Sequence, residues 1–140
     1  MCQHQVPKRL VSGQILVVDE DPDDLKVYRS VLDAFGFAIY SCSSYEAGLE
    51  CLENGQFDLV LVSQGSPAFE GRRVLHRSLQ MDRNRAVLIV TRCVHMPCYL
   101  EAMQMGAVDY LEKPVSPNLL LRFAQTYIRN VKAGLRRIAA

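Results

Sequence analysis

The chain has 140 residues, of which 49% are hydrophobic and 22% charged, and its formal net charge is +1. This composition is that of an ordinary globular protein and excludes a disordered or fibrous chain. The balanced charge argues against a nucleic-acid or membrane-surface binder, because either function would need a basic face.

The length fits one domain, which we assign to residues 14–131, with an N-terminal extension at 1–13 and a C-terminal helix extension at 132–140. No run of about 18 apolar residues occurs, so a membrane-spanning helix is not expected. The first residues lack the apolar core of a secretory signal. A cytoplasmic location is therefore expected.

The first predicted unit is a strand, an acidic turn and a helix. Gln14 to Val18 is apolar and β-branched, which favours a strand buried on both faces of a parallel sheet. Asp21 followed by Pro22 is typical of a helix N-terminus with Asp21 as the cap. Apolar residues then recur at helical spacing until Gly36, namely Leu25, Tyr28, Val31, Leu32 and Phe35.

Four more units of the same kind follow along the chain. The predicted strands are 37–41, 57–62, 86–90 and 108–111, and the predicted helices are one capped by Ser44 and stopped by Asn54–Gly55, 72–81, 97–105 and 117 onward. Strands that alternate with helices imply right-handed crossovers. The sequence therefore predicts an α/β fold with a doubly wound, five-stranded parallel sheet.

Polar side chains follow the predicted strands where the strands end. In a doubly wound sheet, functional groups collect outside the carboxyl ends of the strands. Carboxylates suit a hard cation such as Mg²⁺, and a lysine suits phosphoryl oxygens. The residues at this edge are Asp19, Glu20, Asp21, Ser63, Thr91 and Lys113.

The motifs around these residues resemble the receiver domains of two-component response regulators, over Ile15 to about Val131. The segments that carry the resemblance are Ile15–Pro22, Asp58–Val62 with Pro67, Glu70 and Gly71, Val87–Thr91 and Gly106–Pro114. The resemblance implies a flavodoxin-like (βα)5 fold with strand order 2-1-3-4-5.

The resemblance also implies roles for individual residues. It places Asp19 and Glu20 at the magnesium positions and Thr91 at the switch hydroxyl. Tyr110 takes the place of the switch aromatic, and Lys113 that of the phosphate lysine, with a cis peptide bond to Pro114.

One position departs from the family pattern. Ser63 stands where the family has the aspartate that accepts the phosphoryl group. A serine hydroxyl without an adjacent base is a poor nucleophile and brings no charge to a cation. We therefore expect no conventional aspartyl phosphorylation, no enzymatic activity and no cofactor beyond weakly bound Mg²⁺. Arg92 follows Thr91, and we hypothesise that it reaches Asp19 or Glu20 as a substitute charge partner.

The expected function is that of an atypical receiver that signals by protein contact through its fourth helix, fifth strand and last helix. Its partners would be a histidine kinase, a phosphotransfer protein or an output domain. The alternative is a working phosphoacceptor that uses Ser63 or Glu70 with Mg²⁺. A flavodoxin-like ligand binder is disfavoured, because no loop has phosphate-cradling glycines.

The last helix carries an apolar seam with alternating spacings of three and four, which is typical of a coiled coil. Its residues are Leu121, Ala124, Ile128, Val131, Leu135 and Ile138. The pattern predicts either a homodimer through this helix or a helical connector to another domain.

Overall fold

The computed structural model describes the backbone of residues 13–139 and the side chains of residues 13–128. Strands and helices alternate through this part of the chain. The strands are β1 (Gln14–Val18), β2 (Ala38–Cys42), β3 (Leu59–Ser63), β4 (Ala86–Thr91) and β5 (Asp109–Glu112). The helices are α1 (Pro22–Asp33), α2 (Tyr45–Asn54), α3 (Arg72–Met81), α4 (Met96–Met105) and α5 (Pro117–Ala139).

The five strands form one parallel sheet in the order β2-β1-β3-β4-β5, which confirms the predicted architecture. The strand order reverses at β1, which lies between β2 and β3. Val18, the last residue of β1, is paired with Cys42 on one side and Val62 on the other. The residues after β1 and β3 therefore meet at the switch point, where doubly wound folds place their functional groups.

Two apolar cores, one on each face of the sheet, hold the strands in place. On one face Leu16, Val18 and Val62 pack with residues of α2, α3 and α4. On the other face Ile15 and Val17 pack with residues of α1 and α5. This alternation follows from the period of two in a strand, and it gives the loops at the carboxyl edge a rigid platform.

The element boundaries lie within two residues of those predicted, except at the end of α1. Asp21 and Ser44 cap α1 and α2 as predicted, through bonds to backbone amides. The bond between Lys113 and Pro114 is cis, which is also as predicted. The prediction that the helical spacing continues to Phe35 is wrong, because α1 ends at Asp33 and Phe35 is 58% exposed.

The predicted seam of α5 is only partly correct over the side chains described. Ala124 and Ile128 are buried against the sheet, but the third buried residue is Leu120, and Leu121 is half-exposed. The spacing of four between these residues lays one face of α5 on the sheet. The seam from Val131 onward lies outside the described side chains, so dimerisation through α5 stays a prediction.

Among the described residues, no helix is both long enough and apolar enough to cross a membrane.

Candidate functional site

A buried ion pair lies at the centre of the carboxyl edge. Lys113, which follows β5, places its Nζ 2.8 Å from Oδ2 of Asp19 and 2.9 Å from Oδ2 of Asp24. The Lys113 and Asp19 side chains are only 6% and 3% exposed. Charges buried to this degree are tolerated only when they are paired. The predicted phosphate lysine and the first predicted metal ligand are therefore bonded to each other.

The guanidinium of Arg92 forms a second ion pair at the rim of the site. It bonds the carboxylate of Asp21 and lies 2.8 Å from Oδ2 of Asp24. The hypothesis that Arg92 reaches Asp19 or Glu20 is therefore wrong about the partners. Asp21 and Asp24 are three residues apart at the start of α1 and share its outer side, whereas Asp19 is buried.

Asp21 caps α1 and also pairs with Arg92, and both contacts affect its pKa. Its Oδ1 accepts a hydrogen bond of 2.9 Å from the Asp23 amide, as a helix cap does. That amide, followed by the Arg92 guanidinium, holds the pKa of Asp21 below its ordinary value. Asp21 therefore serves as a cap and as a partner of Arg92.

Ser63 is the last residue of β3 and is only 6% exposed. Its Oγ lies 3.4 Å from the Gly65 amide nitrogen. The hydroxyl of Tyr45, from the start of α2, lies 3.1 Å from the Ser63 carbonyl oxygen and 3.4 Å from Oε1 of Glu20. Burial, followed by the charge of Glu20, raises the pKa of the Tyr45 phenol. A neutral phenol therefore lies between the Ser63 carbonyl and the Glu20 carboxylate, and its single hydrogen can be donated to one of these acceptors at a time.

The hydroxyl of Thr91 is bonded within its own loop. Its Oγ1 donates to the Cys93 carbonyl at 3.0 Å and accepts from the Cys93 amide at 3.1 Å. The Thr91 carbonyl in turn accepts a bond of 2.7 Å from the Lys113 amide. Thr91 thus shapes the turn that carries Arg92 and ties it to the strand end before Lys113.

Tyr110, the predicted switch aromatic, is turned into the molecule and is 8% exposed. Its hydroxyl donates to Oε1 of Gln64, the residue directly after Ser63, and accepts a bond of 3.1 Å from the His95 amide. Burial raises the pKa of the Tyr110 phenol. The aromatic is therefore joined to the end of β3 by a buried hydrogen bond.

Glu70, the alternative acceptor, closes the loop between β3 and α3. Its carboxylate accepts from the Ser66 amide at 2.7 Å and from the Ser66 hydroxyl at 2.9 Å. The Ser66 amide is the main reason that the pKa of Glu70 is lowered. The carboxylate thus serves the loop as a hydrogen-bond acceptor.

The donor set at this edge fits a bound Mg²⁺ poorly. The carboxylates of Asp19, Asp21 and Asp24 already contact the cations Lys113 and Arg92. A divalent cation would have to displace the lysine or meet its repulsion, and β3 offers it a hydroxyl where a carboxylate would bind more strongly. Among the described residues, no group of three or more His, Cys, Asp or Glu side chains has an arrangement suited to a metal ion.

Three residues of this site were not predicted from the sequence. Asp24 is one turn after Asp21, and this spacing could have identified it as a second partner of Arg92. Tyr45 follows β2, which the strand order places beside β1. Gln64 extends a fully buried strand by one polar residue, and a polar side chain there needs an internal partner.

Comparison with known proteins gives one consistent result. The family described as the response regulator receiver domain matches residues 15–125. The transcriptional regulatory protein FixJ of Bradyrhizobium diazoefficiens is 30% identical over 124 residues, which are 89% of this chain and 60% of FixJ. The alginate biosynthesis regulator AlgB of Pseudomonas aeruginosa is 33% identical over 125 residues, which are 88% of this chain and 28% of AlgB.

The fold has solved counterparts. A CheY-like receiver domain from Methanospirillum hungatei superposes with a TM-score of 0.82 at 24% identity, covering 89% of this chain and 99% of the other. A receiver domain from Clostridium thermocellum gives a TM-score of 0.78 at 26% identity, covering 86% and 98%. The chain thus matches isolated receivers over almost their whole length, but spans 60% or less of the two curated regulators.

Proposed function

Because the chain belongs to the family of response regulator receiver domains, we propose that it acts in two-component signalling as a protein-binding module that is not switched by aspartyl phosphorylation. The observation that carries this proposal is the presence of Ser63 at the end of β3, beside acids that are already paired with Lys113 and Arg92. On this proposal the chain is not an enzyme.

The nucleophile available at the end of β3 is the Ser63 hydroxyl. Phosphoryl transfer to a protein needs a positioned, activated nucleophile. A carboxylate meets this need at neutral pH, whereas a serine hydroxyl requires a neighbouring base. The Ser63 hydroxyl is bonded to the Gly65 amide, and the phenol of Tyr45, which is bonded at the Ser63 carbonyl, is protonated at neutral pH because burial raises its pKa. A protonated phenol cannot accept the hydroxyl proton, so Ser63 is a poor acceptor.

Lys113, the lysine that could hold a phosphoryl group at this edge, is already paired within the chain. Transferring phosphoryl oxygens are stabilised by a divalent cation and a lysine. Lys113 is committed to Asp19 and Asp24 in a largely buried pair. Drawing it towards a phosphoryl group would leave the buried carboxylate of Asp19 without its cation, which costs several kcal/mol, while Asp24 would keep Arg92. The charges at the carboxyl edge of the sheet are thus balanced without a divalent cation or a phosphoryl group.

The surface around α4 supports a role in protein contact. Large apolar side chains cluster between residues 94 and 100, with exposed fractions from 36% to 58%: Val94, Met96, Tyr99 and Leu100. Contiguous exposed apolar groups mark interaction surfaces. We propose that α4, β5 and α5 together bind a histidine kinase, a phosphotransfer protein or an output domain, and that α5 can also pair with a second copy.

The place of action is part of the same proposal. FixJ and AlgB are named as transcriptional regulatory proteins. A cytoplasmic location and an output domain on another polypeptide, or on further sequence of this one, accord with such a role. The balanced net charge gives no support to DNA binding by the described domain itself.

The test is the intact mass of the protein after incubation with acetyl phosphate and Mg²⁺. Wild type, Ser63→Asp and, as the matched control, the loop variant Ser66→Asp are compared. We expect no phosphoryl group on wild type or Ser66→Asp, while Ser63→Asp supplies the missing carboxylate at the end of β3 and gains one.

Phosphorylation of the wild type would overturn the proposal and favour a substitute acceptor. The stability of the adduct then identifies the residue, because hydroxylamine cleaves an acyl phosphate on Glu70 but leaves a phosphoserine at Ser63 intact. Loss of the adduct in Glu70→Gln or Ser63→Ala would make the same distinction.

A further inference from the structure

Gln64 is a polar residue with an unusually complete set of internal partners. Its side chain is 1% exposed. Its backbone amide donates to the Val90 carbonyl at 2.8 Å, and its carbonyl accepts from the Gly71 amide at 3.1 Å. Its side-chain Nε2 lies 3.3 Å from the Ser66 carbonyl, and its Oε1 accepts the hydrogen of the Tyr110 hydroxyl. Its amide plane is therefore fixed from both ends.

Tyr110 connects this buried amide to the outer surface. The Tyr110 hydroxyl oxygen accepts a hydrogen bond of 3.1 Å from the backbone amide of His95, the residue directly before α4. Its ring meets the ring of Tyr99 edge to face, with centroids 5.5 Å apart. Tyr99 is 36% exposed and lies within the apolar cluster of α4. A chain of contacts thus runs from the end of β3 to the exposed apolar surface around α4, which we propose as the docking surface.

The buried carboxamide oxygen of Gln64 depends on the Tyr110 hydroxyl as its hydrogen-bond donor. A carboxamide oxygen buried to this degree is costly to leave without a donor. The Tyr110 hydroxyl supplies that donor, and turning the ring outward would remove it. The inward position of Tyr110 is therefore favoured by groups already present in the chain, whether or not a phosphoryl group is bound nearby.

We propose that Gln64 is a positioning residue that holds Tyr110 inward and so gives the surface formed by α4 and β5 one fixed shape without phosphorylation. The consequence for signalling rests on the proposed function, since a fixed surface matters only if partners bind there. The hydrogen bond itself is independent of it and is tested without phosphodonor or Mg²⁺.

The test is amide hydrogen exchange followed by NMR on the full chain, with the His95 amide as the reporter. Gln64→Met keeps most of the side-chain volume but removes the acceptor, and Tyr110→Phe removes the hydroxyl. We expect each variant to speed exchange at His95 by about tenfold, the factor that the net free energy of one lost hydrogen bond gives. The double variant should exchange no faster than Tyr110→Phe, because both changes break the same chain.

Controls separate positioning from simple packing. Gln104→Met, at an exposed glutamine of α4, is the matched control and should leave the His95 amide unchanged. The amide of Leu16 in β1 reports on global unfolding and should stay protected in every variant. If Gln64→Met does not fold, Gln64→Asn keeps the amide but shortens the side chain, and it should also speed exchange at His95.

Two results would overturn the proposal. One is unchanged exchange at His95 in a folded Gln64 variant while Tyr110→Phe accelerates it, since Gln64 would then be only a space-filling residue. The other is additive acceleration in the double variant, since the two residues would then act separately. Neither result depends on whether acetyl phosphate modifies the protein.

Discussion

Replacing Lys113 by methionine tests whether the carboxyl edge is balanced by its own charges. The variant keeps the buried aliphatic stem but leaves Asp19 without its ammonium partner at 2.8 Å, in a pair that is 3% and 6% exposed. Removing one member of a buried ion pair costs about 3–5 kcal/mol. Asp24 keeps its bond to Arg92, and Asp19 keeps the Asp21 amide, so we expect a loss near the lower end, about 3 kcal/mol.

The assay is urea unfolding followed by circular dichroism. With a denaturant slope of about 1–3 kcal/mol/M, the expected loss lowers the midpoint by roughly 1–3 M. Lys26→Met removes an exposed lysine of α1 and should change the unfolding free energy by no more than about 0.5 kcal/mol. If Lys113→Met behaves like Lys26→Met, the buried pair does not hold the site together and the reasoning is refuted.

Three further changes give smaller, separable effects. Arg92→Gln removes the ion pairs that an exposed guanidinium makes with Asp21 and Asp24, so the urea midpoint should fall by much less than in Lys113→Met; a fall as large as that of Lys113→Met would contradict this. Burial raises the pKa of the Tyr45 phenol, so its contribution to stability is fully present below pH about 10 and is lost as the pH rises from there towards the folded-state pKa. The free energy of unfolding of Tyr45→Phe should therefore fall less steeply than that of the wild type between pH 9 and about pH 11. Equal slopes of unfolding free energy against pH in the two proteins would count against the raised pKa. Gly71→Ala would place a Cβ 2.2 Å from the Ser63 carbonyl oxygen, so the free energy of unfolding, measured by thermal melting, should fall by about 1–3 kcal/mol. An unchanged melting temperature would show that the backbone at the end of β3 can shift to make room for the methyl group.

The architecture could be predicted from the sequence because strand–helix alternation and buried apolar runs leave few topologies open. The caps at Asp21 and Ser44 were also predictable, since each depends on one local side chain and a nearby amide. The exposed Phe35 was not. Its spacing fits the helical stripe, but the stripe gives no sign that the helix ends at Asp33.

The members of the site were easier to predict than their bonds. The positions of Asp19 and Lys113 follow from the ends of β1 and β5, but their direct contact depends on how far the lysine side chain reaches across the edge. The partners of Arg92 depend on which side of α1 faces the loop after β4. The bond from Tyr110 to Gln64 joins residues 46 positions apart, and such non-local pairings leave no periodic signal in one sequence.

The central claim is that the surface around α4 does not respond to a phosphoryl group, and an NMR titration of the labelled chain with Mg²⁺ and beryllofluoride, a phosphoryl mimic, tests it most directly. We expect the backbone amides of His95 and Tyr110 to keep their chemical shifts in the wild type. Saturable shifts at these two amides in the wild type would contradict it, because they would show that the site binds the mimic and passes the change to the docking surface.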